Sequence, residues 1–258
     1  MILIDTHCHL DFPAFDPDRN AILQRCRAAG ITKIVVPGVT QNGWDSLLAI
    51  CEQAPQLFPA FGLHPMFLHE HIPEHLVLLE EQINLRRPVA IGEIGLDFML
   101  KDSDKKLQKD YFTRQLDIAK NAQLPVLLHV RKAHDEVLLS LKNSGVRSGI
   151  THAFNGSLQQ ANKYIELGFK LGFGGTLTYQ GSKKIHALAR ALPVESIVLE
   201  TDAPDMVVAA HHGERNSPEY LNLILASLAA VRGESVEMLA QQTTTNAAAI
   251  FNFNETML

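Results

Sequence analysis

Eight short apolar runs, rich in β-branched residues and separated by longer amphipathic stretches, limit most strongly the folds open to this chain. They occupy residues 2–7, 33–37, 58–63, 89–94, 125–130, 149–153, 170–173 and 196–201. Nearly uninterrupted hydrophobicity, as in Val126-Leu127-Leu128, suits parallel strands buried on both faces. Helical patterns with start and stop signals lie between the runs. Asp16-Pro17-Asp18 opens the first and Gly30 closes it. Asp104 to Asn121 carries Leu107, Tyr111, Leu116, Ile118 and Ala119 on roughly one face. Ser157-Leu158-Gln159-Gln160 reads as a capping box, and that helix ends at Gly168. Ser217-Pro218-Glu219 starts another, broken at Gly233 before a last helix that ends near Phe251. Strict alternation predicts an α/β fold: a single (β/α)₈ TIM-type barrel with parallel strands, spanning residues 1–258 as one domain. An open doubly wound sheet is the alternative, and it lacks the GxGxxG loop that would favour it.

Composition narrows the function classes. The 258 residues carry a net charge of −5, without the basic excess expected of a protein that coats nucleic acid. Any nucleic-acid activity must then be local, at a pocket that takes a strand end. No apolar stretch approaches the roughly 20 residues of a spanning helix, so no membrane partner is expected. The N-terminus lacks the features of a signal peptide, and the three cysteines (Cys8, Cys26, Cys51) form no CxxC pair, which together suggest a reducing cytoplasm. No obligate protein partner is implied. Twelve histidines prompt a search for metal ligands.

The ionisable residues cluster at strand ends. His7 and His9 lie at the end of the first run, His129 and Arg131 at the end of the fifth, and Glu200 and Asp202 at the end of the eighth; His64, Glu93 and His152 lie at or just past the ends of the third, fourth and sixth. Residues two apart on a strand share a face, and the C-terminal rim is where barrels do chemistry. One such histidine alone is usually a hydrogen-bonded structural residue. Four histidines and two carboxylates from five strands converging on one rim point instead to divalent metal: Mg, Mn, Zn or Ni. Six protein ligands exceed what one catalytic ion with an open position needs, which favours two ions sharing a carboxylate.

These residues resemble a known family. Asp5-Thr6-His7-Cys8-His9-Leu10-Asp11 is similar to the HxH opening of the TatD-type DNases, within the amidohydrolase-like barrels. Gly62-Leu63-His64-Pro65, Gly92-Glu93-Ile94-Gly95-Leu96-Asp97, His129-Val130-Arg131, His152-Ala153-Phe154-Asn155-Gly156-Ser157 and Leu199-Glu200-Thr201-Asp202-Ala203-Pro204 resemble its later blocks, in order. The resemblance implies His7, His9 and Asp202 on one metal, His129 and His152 on the other, and Glu93 bridging. A carbamylated lysine, the bridge in many related barrels, is missing from residues 89–100. It implies a phosphodiesterase with 3′→5′ exonuclease action on DNA or RNA ends. Two cations would activate a water, with Asp202 as base and Glu93 as the second catalytic carboxylate.

Arg131 is expected to grip a phosphate and His64 to contact the substrate or, equally, to brace the loop before Pro65. Glu200 is expected to fix a ligand, and Arg215-Asn216-Ser217-Pro218 to line the pocket. A hydrolase for small phosphoesters, esters or amides is the competing reading, and a non-catalytic metal-binding protein the third. Cys8, opposite to His7 and His9, reads as core. His69, His71, His75, His211 and His212 read as loop histidines. Lys183-Lys184 and Arg86-Arg87 read as solvated surface, otherwise available to nucleic acid.

Overall fold

The computed structural model describes residues 1–101 and 103–253; the last residues of the expected 1–258 domain, 254–258, lie outside the described ones, as does residue 102. Eight strands form one sheet in chain order: β1 (Leu3–Asp5), β2 (Ile31–Pro37), β3 (Leu57–Phe61), β4 (Ala90–Asp97), β5 (Val126–Arg131), β6 (Gly149–Thr151), β7 (Phe169–Phe173) and β8 (Ile197–Leu199). Every neighbouring pair is parallel. The helices are α1 (Arg19–Ala28), α2 (Trp44–Glu52), α3 (Glu74–Arg86), α4 (Lys105–Ala122), α5 (His134–Ser144), α6 (Leu158–Glu166), α7 (Lys183–Ala191), α8 (Leu221–Arg232) and α9 (Val236–Phe251). This is the expected (β/α)₈ barrel.

The seam between β8 and β1 is drawn together by residues at and just past the ends of both strands. The Thr6 amide and hydroxyl both donate to the Leu199 carbonyl, at 3.1 and 3.0 Å. The buried Asp5 carboxylate accepts from the Thr201 amide and hydroxyl at 3.0 and 2.5 Å, and the Asp202 amide donates to the His7 carbonyl at 2.8 Å. Closure of the barrel therefore brings His7 beside Asp202.

Alternation sorts the strand residues into two cores. Outward side chains such as Leu3, Ile91, Ile94, Leu96 and Leu128 pack with the helices around Trp44, Phe112 and Leu116. Inward ones, Ile4, Val35, Leu127, Ile150 and Val198, meet Ala247, Ile250 and Phe251 of α9 and Phe253, which plug the N-terminal end of the barrel. The polar residues continue the inward rows: His129 lies two beyond Leu127, His152 two beyond Ile150, and Glu200 two beyond Val198. On β4 the pairing with β5 is irregular between Ile91 and Ile94, so both isoleucines face outward although three apart. That one-residue slip of phase turns Glu93, Gly95 and Asp97 inward.

Local signals mostly hold. Asp104 caps α4 by accepting from the Lys106 and Leu107 amides at 2.8 and 3.1 Å, and Ser157 and Gln160 form a reciprocal capping box on α6. Two expectations are corrected. Helix α1 starts at Arg19, beyond the expected opening at Asp16-Pro17-Asp18, and Asp18 makes no side-chain cap because its carboxylate is bound to Arg215. Leu107 is exposed, since the buried face of α4 is set by Gln108, Tyr111, Phe112 and Gln115. Cys8, Cys26 and Cys51 are buried and free. No helix among the described residues is long and apolar enough to cross a membrane.

Candidate metal centre

Glu93 stands at the middle of the inward polar layer, and its two carboxylate oxygens face different groups. Oε2 lies 3.1 Å from His7 Nε2 and 3.4 Å from His9 Nε2, and Asp202 Oδ1 stands 3.6 and 3.7 Å from the same two nitrogens. Oε1 lies 3.0 Å from His129 Nδ1, 3.0 Å from His152 Nε2 and 3.2 Å from His64 Nε2. All five histidines and Glu93 are buried. Asp202 is at the edge, with 13% of its side chain exposed. The structure thus brings His7, His9, His64, Glu93, His129, His152 and Asp202 together.

The partners behind the rings decide which nitrogens offer lone pairs. In the neutral ring His9 Nδ1 donates to the Pro37 carbonyl at 3.2 Å, which directs the Nε2 lone pair toward the centre. His129 Nε2 donates to Asp97 Oδ2 at 3.1 Å, leaving Nδ1 bare. His64 is the reverse. Its Nδ1 accepts the Met66 amide at 3.0 Å, so in the neutral ring the proton sits on Nε2 and is donated to Glu93 Oε1. His64 sits with Glu93 and His129 in a group that could hold an ion, yet this tautomer makes it a donor and not a ligand. His71 fixes the same loop, its Nε2 donating to the His64 carbonyl at 2.9 Å.

The charges agree with the crowding. Burial alone would raise the Glu93 carboxyl, but the surrounding imidazoles hold it well below the usual carboxylate range. Burial opposes protonation of His9 and His152, and Glu93 outweighs it, raising them to about 9 and about 10. For His7 and His64 burial prevails and pushes them down to about 4.

Does this donor set fit divalent ions? With bonds of about 2.1 Å, ligand atoms stand about 3.4 Å apart around a tetrahedral ion, and closer around an octahedral one. The donor separations of 3.0 to 3.7 Å around Glu93 match that spacing. Bare nitrogens and charged carboxylates at such distances repel unless a cation or protons lie between them. The residues fit metal.

Three further residues shape the centre without having been singled out from sequence. Asp97, fully buried, holds His129 and also accepts from Arg131 Nη1 at 3.2 Å. Gln108 and Gln115, seven apart on α4, each grip a strand end. Gln108 exchanges bonds with the Asp97 backbone at 2.8 and 3.0 Å, and Gln115 with the Leu63 backbone at 2.8 and 3.1 Å. Glu93-Gly95-Asp97 alternation, and the i, i+7 spacing of two glutamines on one helix face, were the available signals.

Other expectations are corrected. Arg215 does not line the centre: it pairs with Asp18 and lies over the Phe15 ring at 4.5 Å. Asn216 is buried and braces the loop after β8, donating to the Thr201 and Asp205 carbonyls at 2.8 and 2.7 Å. Glu200 approaches His152 Nδ1 only to 3.8 Å and accepts instead from the Ala153 amide. Burial raises its carboxyl to about 8. Arg131 lies at the mouth, half exposed, and with Phe12, Phe67, Asn155 and Met206 borders a cavity of about 430 Å³ over the metal-ligand cluster.

The family model described as TatD related DNase matches residues 4–252. The chain belongs to the TatD family. Over 253 residues it is 42% identical to the metal-dependent hydrolase YjjV of Escherichia coli K12, covering 96% of this chain and 97% of that one. It is 32% identical to the metal-dependent hydrolase YabD of Bacillus subtilis 168, covering 98% of this chain and all of the other. The crystal structure of YjjV, a TatD homologue, superposes with a TM-score of 0.94 at 40% identity, covering 98% of each chain. This TatD-family chain is a metal-dependent hydrolase, and its buried histidine and carboxylate groups fit that dependence.

Proposed function

We propose that this hydrolase is a two-metal phosphodiesterase that removes nucleotides from nucleic-acid ends in the 3′→5′ direction. The observation that carries the reading is the division of Glu93: Oε2 faces His7 and His9, Oε1 faces His129 and His152. A carboxylate flanked by two donor sets is suited to bridge two ions, with Asp202 completing the first set. Divalent cations held there supply Lewis acidity and lower the pKa of water. Asp202, at the edge of the cavity, is the group placed to orient that water and take its proton. Arg131 presents a planar fork at the mouth, where a phosphate oxygen would lie. His64 borders the same cavity and braces the bridging carboxylate, its Nε2 donating to Glu93 Oε1 at 3.2 Å. Asp97 and Pro37 hold two imidazoles with their other ring nitrogens turned inward, so little movement of the rings is needed.

A small phosphoester is the competing substrate, favoured by the net charge of −5 and by a cavity of about 430 Å³ that suits one small molecule. The test is a panel of end-labelled oligonucleotides, p-nitrophenyl phosphate esters and simple amides, with metal content measured alongside. Stepwise shortening of oligonucleotides from the 3′ end, lost on chelation and regained with Mg²⁺, Mn²⁺, Zn²⁺ or Ni²⁺, is expected. Turnover of the small esters or amides with intact oligonucleotides would overturn the nuclease reading.

A further inference from the structure

A cavity that holds one nucleotide-sized group leaves the rest of a strand to be accommodated elsewhere. A second cavity, of about 730 Å³, adjoins the first and shares Arg131 and Asn155 with it. It is formed where β5 leads into α5 and β6 into α6. Its cations are Arg131, Lys132 and Lys184; its anions are Asp135 and Glu136. Glu136 is paired with Lys109 at 2.7 Å, and Asp135 accepts from Gln160 at 3.0 Å. Arg131 is held by Asp97 at 3.2 Å and Lys184 Nζ donates to the Asn155 carbonyl, so the cationic excess beside the mouth is that of Lys132 and Lys184 over Asp135, in a chain whose net charge is −5. Lys132 takes a positive φ of 54°, a conformation rare for an L residue and one that a surface turn needs no lysine to adopt. Phe98 lines the same space, with Lys105 Nζ and Lys109 Nζ over its ring at 4.9 and 5.9 Å. Interleaved cations and aromatics are what a single strand needs: charge along the backbone and a ring for a base to stack on. The cavity on the other side of the mouth, which shares Met66, is lined by Pro65, Leu68, Leu100 and Leu107 with one cation, Lys101, and one anion, Asp104.

We propose that the groove between α5 and α6 binds the single-stranded segment next to the terminal nucleotide, with phosphates on Lys132 and Lys184 and a base against Phe98. The assignment rests on the nuclease reading above. It makes the protein a reader of strand length: a dinucleotide reaches only the metal cavity, and longer substrates gain the groove.

The test uses DNA and RNA oligonucleotides of two to eight residues, with kcat/KM measured against length and salt. The proteins are the metal-loaded wild type, the Lys132→Gln/Lys184→Gln double variant, Phe98→Ala and, as control, Lys101→Gln. Wild type is expected to favour tetranucleotides over dinucleotides. The double variant should lose most of that preference, about fivefold per lysine at low salt. Its log–log salt dependence should be shallower by about 1.4, two single-strand phosphate contacts. Phe98→Ala should lower the length preference without changing the salt slope. The groove assignment fails if the double variant keeps wild-type length preference and salt slope, or if Lys101→Gln shows the same losses. If wild type cleaves p-nitrophenyl phosphate esters and no oligonucleotide, the nuclease reading itself has failed and the groove falls with it. Parallel DNA and RNA series show which polymer the groove prefers.

Discussion

Glu93 and Asp202 carry similar charge at the same centre, and their surroundings give them different work. Glu93 is buried among four histidines within 3.4 Å of its two oxygens, besides His64, whereas Asp202 approaches only His7 and His9 and is reached by solvent. Glu93→Gln, a neutral amide in a site built for charge, is expected to lose at least one ion. Asp202→Asn is expected to keep most of its metal and lose about 10²–10⁴-fold in kcat, the scale of a general base. Both changes conserve volume, so packing contributes little. Metal stoichiometry with kcat at saturating metal decides between them; near-wild-type turnover in Asp202→Asn would remove it as the base. Asp97 acts one bond further out. It touches no donor oxygen of the centre but holds His129 Nε2 at 3.1 Å. Asp97→Asn should therefore weaken binding of the ion nearest His129 by about 10–100-fold while leaving the other nearly unaffected. Stepwise metal titration reads this directly, and equal affinities in both proteins would show that Asp97 serves only Arg131.

At the scale of elements, the six candidate ligands His7, His9, Glu93, His129, His152 and Asp202 are delivered by strand ends whose phase must be right. For β5, β6 and β8 the phase is plain in the sequence, because His129, His152 and Glu200 continue alternations begun by Leu127, Ile150 and Val198. It is not plain for β4. Strict alternation from Ala90 would turn Glu93 outward; only the irregular pairing between Ile91 and Ile94 turns it in, and pairing between strands leaves no mark in one strand's own pattern. Its place at a strand end singled out Glu93, and the family resemblance gave it the bridging role; periodicity gave neither. The same limit hid Gln108 and Gln115, whose partners are backbone groups at the end of β4 and just past β3, and Asp18, whose carboxylate is the ion-pair partner of Arg215. Gly172 shows how tightly β7 and β8 are fitted. A Cβ there would lie 2.1 Å from Glu200 Oε2. Gly172→Ala is expected to cost about 1–3 kcal/mol by overpacking. In a Glu200→Ala background the same change should cost much less, because the obstructing carboxylate is gone. Denaturant unfolding of the four proteins measures the coupling, and additive losses would mean that the backbone, not Glu200, is what the methyl group meets.

Across the whole molecule, α9 and the apolar plug fix one end of the barrel while the other end is crowded with charge that no hydrophobic packing offsets. Stability should then depend on what neutralises that charge. Without metal, Glu93 raises His9 to about 9 and His152 to about 10 against the opposing effect of burial. Both folded values lie above the unfolded value of about 6.5. Their contribution to the metal-free fold is therefore complete below that pH and is lost as pH climbs through about 9 and about 10. A metal ion needs the same nitrogens bare, so at neutral pH it must displace one proton from each ring. Two consequences follow from the same sign. Metal binding near pH 7 should release protons, read by calorimetry in buffers of different ionisation enthalpy. The gap in Tm between loaded and metal-free protein should widen from pH 6 to pH 9, because the metal-free form loses its protons while the ion displaces fewer of them. A gap independent of pH, with no proton released on binding, would mean that the imidazoles are already neutral before metal arrives and that Glu93 alone carries the charge of the empty centre.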